Sequence, residues 1–466
     1  MLTRTASQSL TEQLAAHFAE RIADRLLAAG TRLPSVRQCA QQHGVSPATV
    51  VAAYDRLLAQ GLVEARPQRG FFVREQRLGP LSGAAARTAG AVRPPVDAAA
   101  LMRGMFHGAG ELPQPGIGVF PPDWLASDVV AAAVRHVASR QALAPLSLQY
   151  GEPAGDPGLR QALAHKLAGL NVPAAPEQIV TTLGATHALD IVSRTLLRAG
   201  DHVMVEEPGW AIEFARLQAL GAVILPVPRG PDGPDLAVMA RYCEAHAPKL
   251  FVSVSVLHNP TGYCLSPGSA HRVLTLANQH GFHVVEDDTY SHLAPDHATR
   301  LSALDGLQRT VYVSGFAKIL APGWRVGYLA APPALVQRLL DTKLLATLTT
   351  PALLEQAMAW CIAQGRLRRH AQRVVARLDQ ARERSVRLAR AAGCRFVSEP
   401  AGLFGWVDTG VDTERLSQCM LDEGYLLAPG ALFHAGRRPG SLMRINFTTT
   451  QAQAFWTVFE RVRAGM

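Results

Sequence analysis

Lys318 is one of four lysines in a chain of 466 residues, standing just past the apolar run TVYVSG and seven residues before Arg325. An amine at a strand end is a Schiff-base former for a carbonyl compound, and a nearby guanidinium can grip a phosphate through two parallel hydrogen bonds. Asp287 and Tyr290 close another run, FHVVEDDTY. A carboxylate there can pair with a pyridinium nitrogen and keep it protonated, which makes the ring an electron sink. Tyr290 and Asn259, the latter from VLHNPTG, can hydrogen-bond a phenolic oxygen, and Trp210, in VEEPGW, offers a flat face for stacking. Gly184, Ala185 and Thr186 lie between QIVTT and HALDIVSRTLL, where the amides of a helix N-terminus meet a phosphate. Carbonyl, pyridine ring, phenolic oxygen and phosphate together describe pyridoxal 5'-phosphate.

Such residues must be carried on a frame that brings strand ends together. Short apolar runs (QIVTT, HVMVEEP, LFVSVSV, HVVEDD, TVYVSG) alternate with helical stretches beyond Phe120, the pattern of an α/β body with a mostly parallel sheet and helices on both faces. Ligands in such sheets sit beyond the carboxyl ends of the strands, where these polar residues fall.

The length predicts two or three domains. No apolar stretch approaches the roughly 20 residues a membrane helix needs, and Glu12, Glu20 and Arg21 stand where a signal peptide is apolar. The expectation is a soluble, cytoplasmic protein with no membrane contact. Cys39, Cys243, Cys264, Cys361, Cys394 and Cys419 are scattered without a C-x-x-C pair, which argues against a disulfide framework or a zinc site and for buried fillers. The net charge of +9 and pI near 9.6 permit nucleic-acid binding. Residues 1 to 93 hold twelve arginines against six acids.

That basic stretch has its own pattern. Leu10, Leu14, Phe18, Ile22 and Leu26 recur every four residues and predict one helical face, with Gly30 at its stop. Ser35 is an N-cap for a second helix ended by Gly44. Ser46-Pro47 opens a third, running through Ala48 to Gln60 until Gly61. LVEARPQRGFFV then reads as two strands around a turn at Gln68, Arg69 and Gly70, a wing after a helix-turn-helix. From Gln76 to about Pro115 the chain is rich in Ala, Gly and Pro, which predicts a tether; DAAALMRGMF within it has the pattern of a short helix. The expected division is a winged helix-turn-helix over 1–75, a linker over 76–115 and the PLP-binding body over 116–466.

The front end resembles the α+β winged helix-turn-helix of GntR-type bacterial regulators, along GTRLPSVRQCAQQHGVSPATVVAAYDRLLAQGLVEARPQRGFFV. The resemblance implies double-stranded DNA as partner, with Arg37 on a phosphate or base, Ser46 and Thr49 at the major groove, and Arg69 and Gly70 at the minor groove. Pro47, Ala48 and Val51 are uncharged where basic residues are common in that family, which leaves Arg37 and Arg69 to supply much of the affinity. From about Val119 to Met466 the chain resembles the fold type I, class I/II aminotransferases, with large and small subdomains. That likeness implies Lys318 as the residue that binds the cofactor covalently, Asp287 on the ring nitrogen, Asn259 and Tyr290 on the ring oxygen and Trp210 on the ring face. It also implies Ala185, Thr186 and Arg325 on the phosphate. Tyr150, in LQYGEPAGDPGLRQALA, is similar to a tyrosine that reaches the phosphate of a neighbouring subunit, which implies a homodimer. Arg444, in LMRINF, is similar to an arginine that clamps a substrate α-carboxylate. Gly315 and Ala317 depart from the hydroxyl residues common three and one before the lysine. Two lost hydrogen bonds at about 1 kcal/mol each weaken cofactor affinity roughly thirtyfold.

Together the two halves resemble the MocR/GabR-type regulators: a transcription factor that binds PLP and senses an amino acid, an amine or PLP itself. An active aminotransferase with an accessory DNA-binding domain is the alternative, and a DNA-binding protein with an empty body is a third. The Arg-rich stretch RLRRHAQRVVARLDQARERSVRLAR fits a helix burying Val374, Val375, Leu378, Val386 and Leu388, a solvated helix of the small subdomain with a secondary role in steadying DNA left open.

Overall fold

The structure, a computed structural model, describes residues 9–23, 27, 30–66, 69–74, 114–138 and 143–466. The linker expected over 76–115, apart from Gln114 and Pro115, lies outside the described residues, as do Leu26 and Gln68. Two compact units divide the chain, Met1–Ala109 and Gly110–Met466.

The first unit contains α1 (Leu10–Ala23), α2 (Val36–His43), α3 (Pro47–Ala59), β1 (Val63–Arg66) and β2 (Gly70–Val73). Leu14, Phe18 and Ile22 of α1 pack with Val50, Tyr54 and Leu57 of α3 in one core. The caps are where the sequence puts them. Ser35 and Gln38 form a reciprocal capping box at the start of α2, and Gly44 ends that helix at φ 63, a left-handed value that glycine adopts without strain. Ser46 caps α3 with Pro47 in its first turn. β1 and β2 pair antiparallel from Val63–Val73 to Arg66–Gly70, completing the wing.

In the second unit, β3 (Ile179–Thr182), β4 (His202–Glu207), β5 (Val223–Gly230), β6 (Gly233–Pro234), β7 (Leu250–Ser253), β8 (His283–Asp287), β9 (Thr310–Gly315) and β10 (Gly327–Ala330) form one sheet. Their order is β3-β10-β9-β8-β7-β4-β5-β6. The central pairs β5–β4, β4–β7, β7–β8 and β8–β9 are parallel. β10 is antiparallel to both β9 and β3, because the chain returns from Gly315 to Gly327 without a crossover helix, and a parallel return needs one. β3 and β9 therefore run the same way, and their carboxyl ends share an edge with those of β4, β7 and β8.

Both faces of the sheet are covered, which explains why its strands are almost continuously apolar. One face packs Val180, Val205, Val285 and Val313 against Leu189 and Leu339; the other packs Met204, Phe251 and Val284 against Val273 and Ala277. A second, four-stranded antiparallel sheet consists of β11 (Arg395–Phe396), β12 (Phe404–Asp408), β13 (Ala428–Pro429) and β14 (Leu442–Asn446) in the order β11-β12-β14-β13. Four helices are used below: α4 (Ser127–Ala138), α5 (Ala185–Leu196), α6 (Ala352–Ala363) and α7 (Arg366–Ala391). The buried seam of α7 is Leu367, His370, Ala371, Val374, Leu378, Ala381, Ser385 and Ala389. Val375, Val386 and Leu388, expected inside, sit at its margins and are half-buried, because small residues let the helix approach along the Ala–Ser–Ala line. Cys39, Cys243, Cys361 and Cys394 are buried, whereas Cys264 is exposed and Cys419 half-buried.

Candidate active site

The site is assembled from strand ends. Asp287 is the last residue of β8, and its carboxylate accepts from the Thr289 amide at 3.0 Å and from the Thr289 hydroxyl. Burial raises its pKa to about 6; the Thr289 bonds oppose that rise, and Glu213 and Asp288 add to it. The next residue, Asp288, is fully buried and anchors the strand end from behind: it accepts from Arg300 Nε at 2.6 Å and from the Tyr312 hydroxyl at 2.8 Å.

Asn259 follows β7 in a turn held by a buried acid. Glu206 accepts from Arg229 at 2.5 Å, from Ser253 at 2.9 Å and from the Val254 amide at 2.9 Å. His258 bonds Thr261 at 2.9 Å, and burial and Arg229 hold its pKa well below the usual histidine value, so it stays neutral. Asn259 itself is buried and accepts from Arg444 Nη1 at 3.0 Å. Tyr290 hydrogen-bonds Asn259, and burial raises its phenol pKa against the opposing pull of Arg444.

Arg444 comes from β14, in the smaller sheet, and its guanidinium lies over Phe404 at 4.4 Å and Phe433 at 5.1 Å. Burial lowers its pKa to about 10, well above neutrality, so it remains a cation. Its Nη2 donates to the Gly116 carbonyl at 2.6 Å. Lys318 sits in the β9–β10 loop and donates to the Gly118 carbonyl at 2.6 Å. Burial, Arg444 and Arg325 lower its pKa to about 8, with Asp287 opposing them. A buried amine near neutrality is a nucleophile.

The phosphate end is shaped by glycines. Gly184, at φ 81, precedes α5, whose first residues are Ala185 and Thr186. A Cβ on Gly327 would lie 2.4 Å from the Gly184 carbonyl carbon, and one on Gly315 would lie 3.3 Å from the Ala185 amide. The α5 N-terminus therefore rests directly on the ends of β9 and β10. Gly315 has this packing reason for departing from a hydroxyl residue. Arg325 donates to the Leu183 carbonyl at 2.9 Å, and its guanidinium would meet a Cβ on Gly184 at 2.6 Å. A cradle of helix amides with a guanidinium beside it fits a phosphate. The amine, the carboxylate and the Asn259–Tyr290 pair fit the rest of PLP.

Trp210 lies past the end of β4 and is half-buried. Tyr150 is 81% exposed on the single chain. The structure thus brings Lys318, Asp287, Asn259, Tyr290 and Arg444 into one electrostatic cluster and sets Ala185, Thr186 and Arg325 together at its edge, while Tyr150 stands outside. Sequence reasoning missed the carbonyls of Gly116 and Gly118, Thr289, and the aromatic pair around Arg444.

In the first unit Arg37, Ser46 and Arg69 are exposed, and Thr49 and Gly70 are half-buried. The Ser46 hydroxyl accepts the Thr49 amide at 3.1 Å and lies 2.8 Å from the Thr49 hydroxyl, so both are already engaged in capping α3. Gly70 has φ 95, as the tight wing turn requires.

Residues 118–455 match the family Aminotransferase class I and II, and residues 10–73 match Bacterial regulatory proteins, gntR family. The chain is 29% identical over 455 residues to the HTH-type transcriptional regulator YdcR of Escherichia coli (strain K12), covering 93% of this chain and 94% of that protein. It is 31% identical over 342 residues to the probable rhizopine catabolism regulatory protein MocR of Rhizobium meliloti, covering 72% and 68%. Among solved structures it superimposes with a TM-score of 0.71 on LysN, the α-aminoadipate aminotransferase of Thermus thermophilus, solved with N-(5'-phosphopyridoxyl)-L-leucine. Identity there is 24%, with 78% of this chain and 94% of that one covered, which speaks to the fold.

Proposed function

The chain belongs to the aminotransferase class I and II family and carries a GntR-family regulatory domain ahead of it, and from that pairing we propose that it is a PLP-binding transcriptional regulator of double-stranded DNA whose body senses an amino acid or amine. One observation carries the sensing reading. Lys318 and Arg444, the groups that an amine and its carboxylate would engage, both hold carbonyls of the segment through which the chain enters the body, Gly118 and Gly116.

PLP, when bound, supplies a carbonyl that takes up amines and a ring that draws electrons. The residues to hold it are Lys318, Asp287 at the ring nitrogen, Asn259 and Tyr290 at the ring oxygen, Trp210 at the ring face, and Ala185, Thr186 and Arg325 at the phosphate. Tyr150 would complete the phosphate site of a second copy: it is 81% exposed, and Leu148, two residues before it, is 82% exposed, which supports a homodimer. With an effector amine in its place, the Lys318 amine would be free to accept a proton, since burial, Arg444 and Arg325 lower its pKa to about 8. The effector carboxylate competes with the Gly116 carbonyl for Arg444. Asn446 still holds the carbonyls of Ile117 and Val119, each at 2.9 Å, so the segment pivots on β14 rather than detaching. Linkage then requires that whatever the segment does to the DNA-binding domain acts back on effector affinity, typically by about 1–3 kcal/mol.

In this reading the winged domain covers 1–75, the linker 76–115 and the body 116–466, in a cytoplasmic protein. Among the described residues no helix is long and apolar enough to cross a membrane. The convergence of Lys318, Asp287 and Arg444 also supports the alternative, an active aminotransferase. One experiment separates them: the visible spectrum of the PLP-loaded protein is followed during addition of amino acids and amines, together with keto-acid release and DNA affinity. A band that shifts without turnover, with changed DNA affinity, is expected. Sustained keto-acid release with unchanged DNA affinity moves the enzyme to first place, and failure to acquire a PLP band overturns both.

A further inference from the structure

α7 is the longest helix among the described residues, 26 residues from Arg366 to Ala391, or about 39 Å. Its inner seam faces the body core. At about 100° per residue, Arg366, Arg369, Arg373, Arg377, Arg384 and Arg387 fall within a sector of about 80° on one flank of the outer surface. All six are exposed except Arg366, which is half-buried and lies over the Trp360 ring of α6 at 4.7 Å. The acids of the helix, Asp379 and Glu383, lie outside that sector, and Asp379 is taken by Arg382 at 2.7 Å. Arg377 is held by Asp123 at 2.6 Å and stacks on Trp124 at 4.1 Å. At the N-terminal end, Arg366, Arg369 and Arg373 line a groove against α4 that contains one carboxylate, Asp128.

We propose that this stripe is a second, sequence-independent contact for the phosphate backbone of double-stranded DNA. From Arg369 to Arg387 it runs about 27 Å, the length of about eight base pairs at 3.4 Å per phosphate along each strand. Guanidinium groups have no acceptors and match phosphate oxygens. A small anion would use only the three arginines of the groove and leave the line beyond it without purpose. A membrane-surface helix would show apolar side chains beside its basic ones, whereas the apolar residues of α7 are turned into the body. The contact adds to any made by Arg37 and Arg69, and does not depend on PLP.

The test uses the full-length protein with R369Q/R373Q/R384Q/R387Q, all outside the cofactor site and none paired with a carboxylate in the described structure. Binding to a random-sequence duplex is measured from 50 to 200 mM salt. A log–log salt slope smaller in magnitude by about 3.6, at about 0.9 for each of the four lost phosphate contacts, is expected, with the PLP spectrum and melting temperature unchanged. The corresponding four-lysine variant should keep the slope. A slope unchanged in the glutamine variant overturns the proposal, as does loss of binding to phosphatidylserine vesicles with duplex binding intact. R37A/R69A separates this idea from the reading of the front domain. If R37A/R69A abolishes duplex binding and the stripe variant changes nothing, the stripe fails and the front domain stands; the reverse pattern sinks the front-domain reading and leaves the stripe.

Discussion

The amine of Lys318 donates to the carbonyl of Gly118 at 2.6 Å, across 200 residues of chain. The amine that would hold the cofactor is therefore also a tie on the segment leading from the DNA-binding domain. Two residues earlier, Gly116 is tied to Arg444 in the same way. In the proposed function, cofactor capture would compete with the first tie and an effector carboxylate with the second.

Lys318→Ala should abolish the visible band that survives desalting after incubation with PLP, and should prevent borohydride from fixing the cofactor to the chain. Circular dichroism should remain unchanged, because the lysine lies in a loop and not in a strand of the sheet.

The pH dependence of PLP capture should show a midpoint near 8, the value to which burial, Arg444 and Arg325 bring Lys318. Below it the ammonium dominates and capture is slow; above it the neutral amine dominates. Arg444→Gln removes a nearby positive charge and should raise the midpoint, while Asp287→Asn removes the opposing negative charge and should lower it. The same sign governs stability. The folded chain holds this proton less tightly than the unfolded chain, so the contribution of Lys318 to apoprotein stability rises with pH between about 8 and the ordinary lysine value. A capture midpoint that stayed near 10.5 in stopped-flow absorbance would exclude the buried-amine account.

Arg444→Lys should weaken the spectral response to α-amino acids by roughly thirtyfold, about 2 kcal/mol for a hydrogen bond to a charged partner, and leave that to amines without a carboxylate nearly unchanged. Lysine keeps the charge but cannot match the planar fork or its seat over Phe404 and Phe433. Equal weakening of both ligand classes, read by titration at the visible band, counts against a carboxylate role.

Arg300→Met should lower stability by about 3–5 kcal/mol, because it strands the buried carboxylate of Asp288 directly behind Asp287. Pairing it with Asp288→Asn should restore part of the loss. Urea midpoints of the two variants and the parent decide the point.

Ser35→Ala removes the capping box of α2 and should cost about 1 kcal/mol locally. Amide exchange at Gln38 and Cys39 should accelerate severalfold, while exchange in the strands of the large sheet stays as it was.

Much of this protein is written locally. Ser35 with Gln38, Gly44, and Ser46 with Pro47 set helix ends through bonds spanning three or four residues, and the sequence alone places them. The apolar runs and the polar residues ending them announce a sheet with its chemistry at one edge, and Lys318, Asp287 and Arg325 are legible because lysine is scarce and strand ends are recognisable. The tertiary structure decided the rest. The antiparallel entry of β10 follows from a loop too short for a crossover. Arg444 has its seat because two aromatic rings arrive from β12 and from the turn after β13. The carbonyls of Gly116 and Gly118 could not have been read in advance: every residue has the same carbonyl, and no side-chain pattern marks which one a distant lysine or arginine will find. Partners 200 and 328 residues apart are chosen by how the layers pack, and that choice exists only once the chain has folded.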